Sequence, residues 1–461
     1  MLADRRRPSP GAFAMPIYSH RVVPGAIKNV AKIPASPFAH SPILRRPPLH
    51  HRVSDRRTSP DLRLWALCFA GVAQPWSKAG LSIGAGLLLL ATLWERRHVG
   101  TFRTGIGKAT GAFLLVLLVS TLTSSNMSQG WDNFFGFWPL TYMFLGAAAV
   151  RDARKPQLYL WTFVASTLAA SSVGIHHIVM AYIDKGFFNG TAEVPTNIWL
   201  FTLALGGGTI GALTLMRGKS NKIKILLVLA ALSQLLAVFA TRRRISLFIL
   251  ALILAAMIPY YLRRSKLALV ALVGLIGIGT YMLSSDLRVK RLTSVEDFLA
   301  GEKTRAALWT IGWETFEKEP LLGTGLGDFR DDLRAVKKAE GKTRFAGANL
   351  NHYHCHNNFL HTMATSGVLG LLAFLVWIFL IPVWVFRHRK RNPDAAFLAF
   401  AAWFMLFGAG LTDAPLYSSS RLSAFTLLFG YAWGMLLRNP DVGQTVLDEP
   451  TPESDNHAAI T

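Results

Sequence analysis

Ser366–Phe386 reads SGVLGLLAFLVWIFLIPVWVF and is closed by Arg387, Arg389, Lys390 and Arg391. An uncharged run of this kind is long enough for a helix to cross the roughly 30 Å of a bilayer's hydrocarbon core, and the basic cluster after it marks the edge of the apolar phase. Outward from it, apolar blocks recur at 62–75, 78–95, 108–124, 133–150, 157–181, 197–216, 223–240, 245–262, 267–284, 395–411 and 420–437. The first is short, and its boundary with the second falls near Pro75 and Trp76. Read as helices, the blocks predict an all-α polytopic membrane protein of about twelve transmembrane helices, with a large periplasmic loop between helices nine and ten. The composition agrees, since 51% hydrophobic and 16% charged residues with a mean hydropathy of +0.33 do not describe a string of soluble domains.

The net charge of +23 would suit nucleic acid. Its lysines and arginines, however, gather at block ends and in the N-terminal tail, so the expected partner is membrane lipid and not DNA or RNA. Alternate connections are basic: Arg96, Arg97 and Arg103; Arg151, Arg154 and Lys155; Arg217, Lys219, Lys222 and Lys224; Arg263, Arg264 and Lys266; and the cluster after Phe386. The positive-inside rule puts these in the cytoplasm. The resulting plan is a basic, Pro-rich disordered cytoplasmic tail at 1–61, transmembrane helices one to nine at 62–284, and a periplasmic loop carrying the catalytic residues at 285–365. Helices ten to twelve at 366–437 and a second cytoplasmic tail at 438–461 complete it. Such a protein belongs in a bacterial inner membrane, with its active site on the periplasmic face. Cys68 and Cys355 are too few and too differently placed for a disulfide framework.

One outward turn departs from the charge rule. Thr241-Arg242-Arg243-Arg244 sets three arginines on the periplasmic side of a tight hairpin. There they either snorkel to headgroups or meet an anionic ligand. In the long loop, Thr304 to Glu319 reads as an amphipathic helix with Ala307, Leu308, Ile311 and Phe316 on one side, stopped by Pro320. Pro320 to Gly327, PLLGTGLG, lacks both the Gly-Lys-Ser/Thr ending of a phosphate loop and a preceding strand, and reads as a tight turn at the membrane surface. Then come His352, His354, Cys355, His356, Asn357 and His361. The histidines allow a metal site, but no carboxylate lies among them in sequence. The other reading is a histidine that moves protons, because imidazole titrates near working pH.

His176 and His177 and the acidic group Asp328, Asp331 and Asp332 have plainer explanations, interfacial depth and a solvated helix start, while Asp413 before Pro415 reads equally as a group that orients a histidine or acceptor and as a helix terminator. Trp131, Phe134, Phe135 and Trp138 read as an interfacial belt.

His356-Asn357, nine further residues and then Gly367-Val368-Leu369-Gly370 resemble the H-N-x9-G-x-x-G signature of the O-antigen ligase and O-antigen polymerase superfamily. The Pro320–Gly327 turn, the helix start at Arg305 to Trp309 and the Thr241-Arg242 hairpin are similar to its other landmarks. The resemblance implies transfer of a polysaccharide from undecaprenyl diphosphate to a sugar hydroxyl of the lipid A core, without metal, nucleotide or other cofactor. It places the signature histidine on His356, the hairpin arginine on Arg242, with Arg243 and Arg244 as neighbours able to take that role, and the loop arginine on Arg305. His354, Asn357 and Gly367 are supporting residues. The chemistry is consistent, because negative charge developing on a diphosphate leaving group is well met by bidentate arginines that cannot lose their protons. An O-antigen polymerase or a ligase acting on protein hydroxyls would use the same donor. A lipid-linked sugar transporter would be expected to show related halves or charges at the membrane midplane, and neither is visible.

This topology makes a direct expectation. A cysteine introduced at Gly341 reacts with a membrane-impermeant thiol reagent from outside, and one introduced at Lys219 does not. Labelling of both from one side rules out the twelve-span plan.

Overall fold

A computed structural model of the chain describes residues 61–95, 99–185, 198–241, 244–262, 295–340 and 343–438, all within the second of its two units, 60–461. The N-terminal tail up to residue 60, the ninth block at 267–284, Arg242, Arg243 and the chain after Arg438 lie outside the described residues. The described elements are all helical. They are α1 (Leu62–Ala73), α2 (Lys78–Trp94), α3 (Gly105–Leu122), α4 (Met127–Phe135), α5 (Leu140–Asp152), α6 (Gln157–Lys185), α7 (Ile198–Leu215), α8 (Asn221–Ala240) and α9 (Arg244–Leu262). After these come α10 (Val295–Lys318), α11 (Phe329–Glu340), α12 (Asn358–His388), α13 (Pro393–Gly410) and α14 (Ser419–Leu437), with short 3-10 turns at Gly100–Arg103 and Pro415–Tyr417. Among the described residues five helices, α3, α6, α8, α12 and α13, contain stretches long and apolar enough to span a membrane.

The helix starts follow from side-chain chemistry. Ser77, Thr104, Asn126 and Asn392 each accept an amide of the first turn that has no partner within its own helix, and Pro393 sits where a missing N–H costs nothing. The 133–150 block differs from the sequence expectation of one span. It divides between α4 and α5, because the chain turns through Gly136–Pro139 and Pro139 starts the new helix without an amide to place.

Close packing holds α14 on α5. A Cβ at Gly430 or Gly434 would press on the Tyr142 and Ala147 carbonyls, and the bare faces let Trp433 bury completely, edge-on to Phe144 at 5.7 Å. At the start of α1, the fully buried Arg63 reaches Glu95 (2.9 Å) and Asp152 (3.1 Å), tying together the start of α1 and the ends of α2 and α5. Removing either carboxylate leaves a buried cation short of a partner, which is more damaging than the net worth of such a pair.

The element that positions the site is α12. It begins at Asn358, eight residues ahead of the apolar block, and it is broken at Gly367, whose φ of 62° and ψ of −163° lie outside the helical region. At this break two hydrogen bonds of the helix are exchanged for four to another segment. The Val368 and Leu369 amides, which would have bonded Ala364 and Thr365, donate to the Pro320 (2.9 Å) and Leu321 (3.4 Å) carbonyls. The vacated Ala364 and Thr365 carbonyls accept from Thr324 (3.2 Å) and Gly325 (3.1 Å). The PLLGTGLG turn is thus threaded into the helix break.

Ser120 of α3 adds a 2.6 Å hydrogen bond to the Thr365 carbonyl, and the Leu326 amide donates to Ser120 (3.2 Å). Next in the turn, Asp328 is buried, contrary to its reading as part of a solvated helix start. It accepts from the Ser125 and Asn126 amides and the Ser124 and Ser125 hydroxyls at 2.8–2.9 Å. Asp331 and Asp332 do open α11.

Gly367 adopts a conformation essentially restricted to glycine, and a Cβ there would collide with the Leu321 carbonyl. Gly367→Ala should therefore destabilise the protein by about 3 kcal/mol or more, combining backbone strain with the clash. Gly86→Ala, in the middle of α2 where a Cβ meets nothing within 4 Å, should be neutral or stabilising by up to about 1 kcal/mol. Thermal unfolding in detergent compares the two, and equal midpoints would show that the break does not depend on glycine.

Candidate functional site

The segment from His352 to Asn358 is held from below by Cys355, whose thiol is buried against Gly312 of α10 and lies 3.7 Å from His361 Nδ1. Burial keeps that thiol in its protonated form, with its pKa pushed well above the ordinary value. Around it, Ala307, Leu308 and Ile311 of α10 bury against Phe329, Leu333, Phe345 and Leu350, so three of the four apolar positions read in Thr304–Glu319 pack here, while Phe316 is only partly buried. Asn357 caps α12: its Oδ1 accepts from the Phe359 (2.9 Å) and Leu360 (3.0 Å) amides, and its Nδ2 donates to the Leu411 carbonyl at 3.0 Å. Asn358 accepts the Leu416 amide at 3.2 Å. The two asparagines therefore tie the start of α12 to the connection between α13 and α14.

Among the described residues His356 is the only non-glycine residue with a positive φ, 52°. Held conformations of this kind cost of order 1 kcal/mol or more and persist where the surroundings over-determine them. Its surroundings do so. His356 Nδ1 lies 3.1 Å from Asp413 Oδ1, and its Nε2 lies 3.0 Å from His352 Nδ1. The other oxygen of Asp413 pairs with Arg421 Nη1 at 2.9 Å, and the Ala414 amide donates to Oδ1 at 2.7 Å. Asp413 is 2% exposed. Burial alone would raise its pKa, but the His356 hydrogen bond and the Arg421 charge outweigh it and hold the carboxyl well below the usual carboxylate range. A permanent anion therefore sits beneath His356.

His354 lies 3.9 Å from the same oxygen through Nε2, and its Nδ1 accepts the His356 amide at 3.3 Å. Burial first, and then the neighbouring His356, push its pKa down to about 3 against the pull of Asp413. His352 is lowered as well, by burial and His356. The carboxylate that the sequence does not show beside the histidines is thus supplied in space by Asp413, and His354, His356 and Asp413 present ligand atoms within 4.8 Å of one another. The hydrogen bonding nevertheless runs against a cation there. Because His354 Nδ1 accepts an amide, its neutral ring carries the proton on Nε2, the nitrogen facing the carboxylate, and an ion would have to displace it.

Of the residues expected at the site, His356, His354, Asn357 and Gly367 lie along one path, from the loop through the cap to the break in α12. Arg305 lies on α10 next to Thr304, whose hydroxyl accepts the Asn349 amide at 3.1 Å, three residues before His352. Arg242 and Arg243 lie outside the described residues, and Arg244 opens α9 without its side chain being described. Three further contributors appear. Asp413 reads in sequence equally as an orienter of a histidine and as a helix terminator, His352 is one histidine of the cluster with no role singled out, and Arg421 draws no notice, although an arginine two residues into an apolar helix is a signal that a partner must exist.

The fold and site define a class: an all-α, multi-pass membrane protein with a buried carboxylate–histidine network where a membrane helix meets its loop. Residues 225–375 match the Wzy_C family model, described as O-antigen ligase, and this supports the O-antigen ligase and polymerase superfamily for the chain. The matched stretch contains Arg242 to Arg244, Arg305 and His356 and ends before Asp413 and Arg421. No curated protein matches the chain in sequence.

Both histidine and carboxylate titration act on stability in one direction. His354 is held neutral in the fold and binds a proton more readily when unfolded, so its contribution is present above its ordinary pKa of about 6.5 and declines as pH falls toward about 3. Asp413, depressed in the fold, adds a further loss at lower pH. Between about pH 6.5 and pH 5 the His354 contribution should cost about 2 kcal/mol, seen as a falling unfolding midpoint that is flatter in His354→Asn. A wild-type midpoint that does not move over this range would contradict a neutral buried His354.

Proposed function

We propose that the protein is a metal-independent O-antigen ligase of the bacterial inner membrane. It spans the membrane about twelve times and works on the periplasmic face through the loop at 285–365. Its donor is a polysaccharide on undecaprenyl diphosphate, its acceptor a sugar hydroxyl of the lipid A core, and its reaction a step of lipopolysaccharide biosynthesis. The observation that carries the reading is His356, held in a strained conformation over a buried carboxylate within the segment that matches the O-antigen ligase family.

In this reading Arg305 and one of Arg242, Arg243 and Arg244 clamp the diphosphate through bidentate hydrogen bonds as its glycosidic bond breaks and negative charge develops. His356 ends with the proton that leaves the acceptor hydroxyl. Asp413 fixes the ring and stabilises the imidazolium that forms, and Arg421 keeps Asp413 ionised. Asn357 and Gly367 hold the segment on α12. The good diphosphate leaving group on the donor's anomeric carbon already supplies activation, so neither nucleotide nor metal is required.

His356→Ala should leave membrane insertion and binding of the lipid-linked donor intact while transfer falls by about two orders of magnitude or more. Loss of donor binding instead would make His356 a diphosphate ligand and remove it as base. A strain carrying the variant should lose all long-chain lipopolysaccharide and accumulate lipid-linked polymer. A single-repeat product in that strain would mean an O-antigen polymerase.

A further inference from the structure

His356 is engaged at both ring nitrogens, which leaves a single base no free lone pair to offer. The direction of each bond follows from chemistry. A carboxylate only accepts, so His356 Nδ1 carries the proton directed at Asp413. With His356 neutral its ring has one N–H, so Nε2 accepts and His352 Nδ1 at 3.0 Å donates to it. His352 then has its lone pair on Nε2, and among the described residues nothing else hydrogen-bonds to that ring. The ring is half-buried, and it meets His356 edge-on with centroids 4.5 Å apart. The network therefore has one polarity, running from an open nitrogen on His352 through His356 to Asp413 and Arg421.

We propose that His352 is a second catalytic residue, the group that takes the acceptor's proton, and that His356 stores the charge. This rests on the ligase reading above. The acceptor oxygen bonds the anomeric carbon of the donor, and the bond from that carbon to the diphosphate breaks, with its electron pair leaving on the diphosphate oxygen. The hydroxyl proton moves to His352 Nε2 while the Nδ1 proton of His352 moves to His356 Nε2. His352 ends neutral in its other tautomer, and His356 ends as an imidazolium beside the Asp413 carboxylate. No oxidant, metal or co-reactant enters, and the stored proton is later released to water as the tautomers reset. Placing the positive charge on His356 uses the one imidazole in direct contact with the buried anion, where it is best stabilised.

The test uses the full-length protein in lipid nanodiscs with lipid-linked donor and lipid A core acceptor, comparing wild type, His352→Ala and His352→Gln. Glutamine can still donate to His356 but cannot pass a proton through. Transfer should fall by about 100-fold in both variants with donor binding unchanged. The wild-type rate in mixtures of light and heavy water should depend on deuterium content along a curve, as two protons in flight require, whereas the residual rate of His352→Gln should fall on a line. Nitrogen-15 spectra of labelled histidine should show His356 protonated at Nδ1 and not at Nε2 in both wild type and His352→Gln, which verifies that the network is intact. Either variant transferring at close to the wild-type rate, or a linear wild-type dependence, overturns the relay and leaves the ligase reading standing. A wild-type protein that transfers nothing removes both.

Discussion

The hydrogen-bond exchange at Gly367 is the constraint on which the arrangement of the site depends. A helix cannot turn aside without stranding the amides and carbonyls that flank the break, and inside a membrane protein water cannot take them up. Here the stranded groups belong to Ala364, Thr365, Val368 and Leu369, and the segment from Pro320 to Gly325 supplies a partner for each. The glycines at 323 and 325, both at positive φ, let that segment pass close enough to do so. The same segment then delivers Asp328 to the amides ahead of α4. A helix break, a turn and the start of a distant helix are thus satisfied by one short segment, through its backbone at the break and the Asp328 carboxylate at α4.

Above this joint the site is organised by a charge that cannot leave. Asp413 is nearly inaccessible to water, and an isolated carboxylate there would be expected to protonate. Arg421 and His356 instead divide its two oxygens between them. This binds three stretches of chain, the loop before α12, the connection after α13 and the first turn of α14, to a single ion. The strain at His356 is tolerated because its amide, its two ring nitrogens and the capped helix after it all have partners.

Much of this was legible along the chain because it is local. The apolar block at 366–386, the packing face of Ala307, Leu308 and Ile311, and the His356-Asn357 pair ahead of two spaced glycines are periodicities and spacings. What was not legible depends on contacts between distant residues. Asp413 is 57 residues from His356, and nothing near it in sequence separates a buried ligand of histidine from a residue that ends a helix. Arg421 is visible as a charge in an apolar helix, but its partner is not. Gly367 reads as part of a motif, whereas its role as a break in α12 appears only once the turn that enters it is placed. The split of 133–150 into two helices was signalled by Gly136 and Pro139 and was outweighed by the length of the apolar run.

The interval between the asparagine cap and the glycine break also acts as a geometric gauge. From Asn358 to Gly367 the chain climbs roughly 13 to 14 Å as helix, at about 1.5 Å per residue. Each residue also carries about 100° of rotation, so the interval sets both the height of the histidines above the break and the compass bearing on which they face. Adding or deleting a residue there would swing the network about a third of a turn away from Asp413 while the turn stayed locked below. The spacing in the motif is thus an angular register, and drift in chain length across it is closed off even where drift in side-chain identity is not.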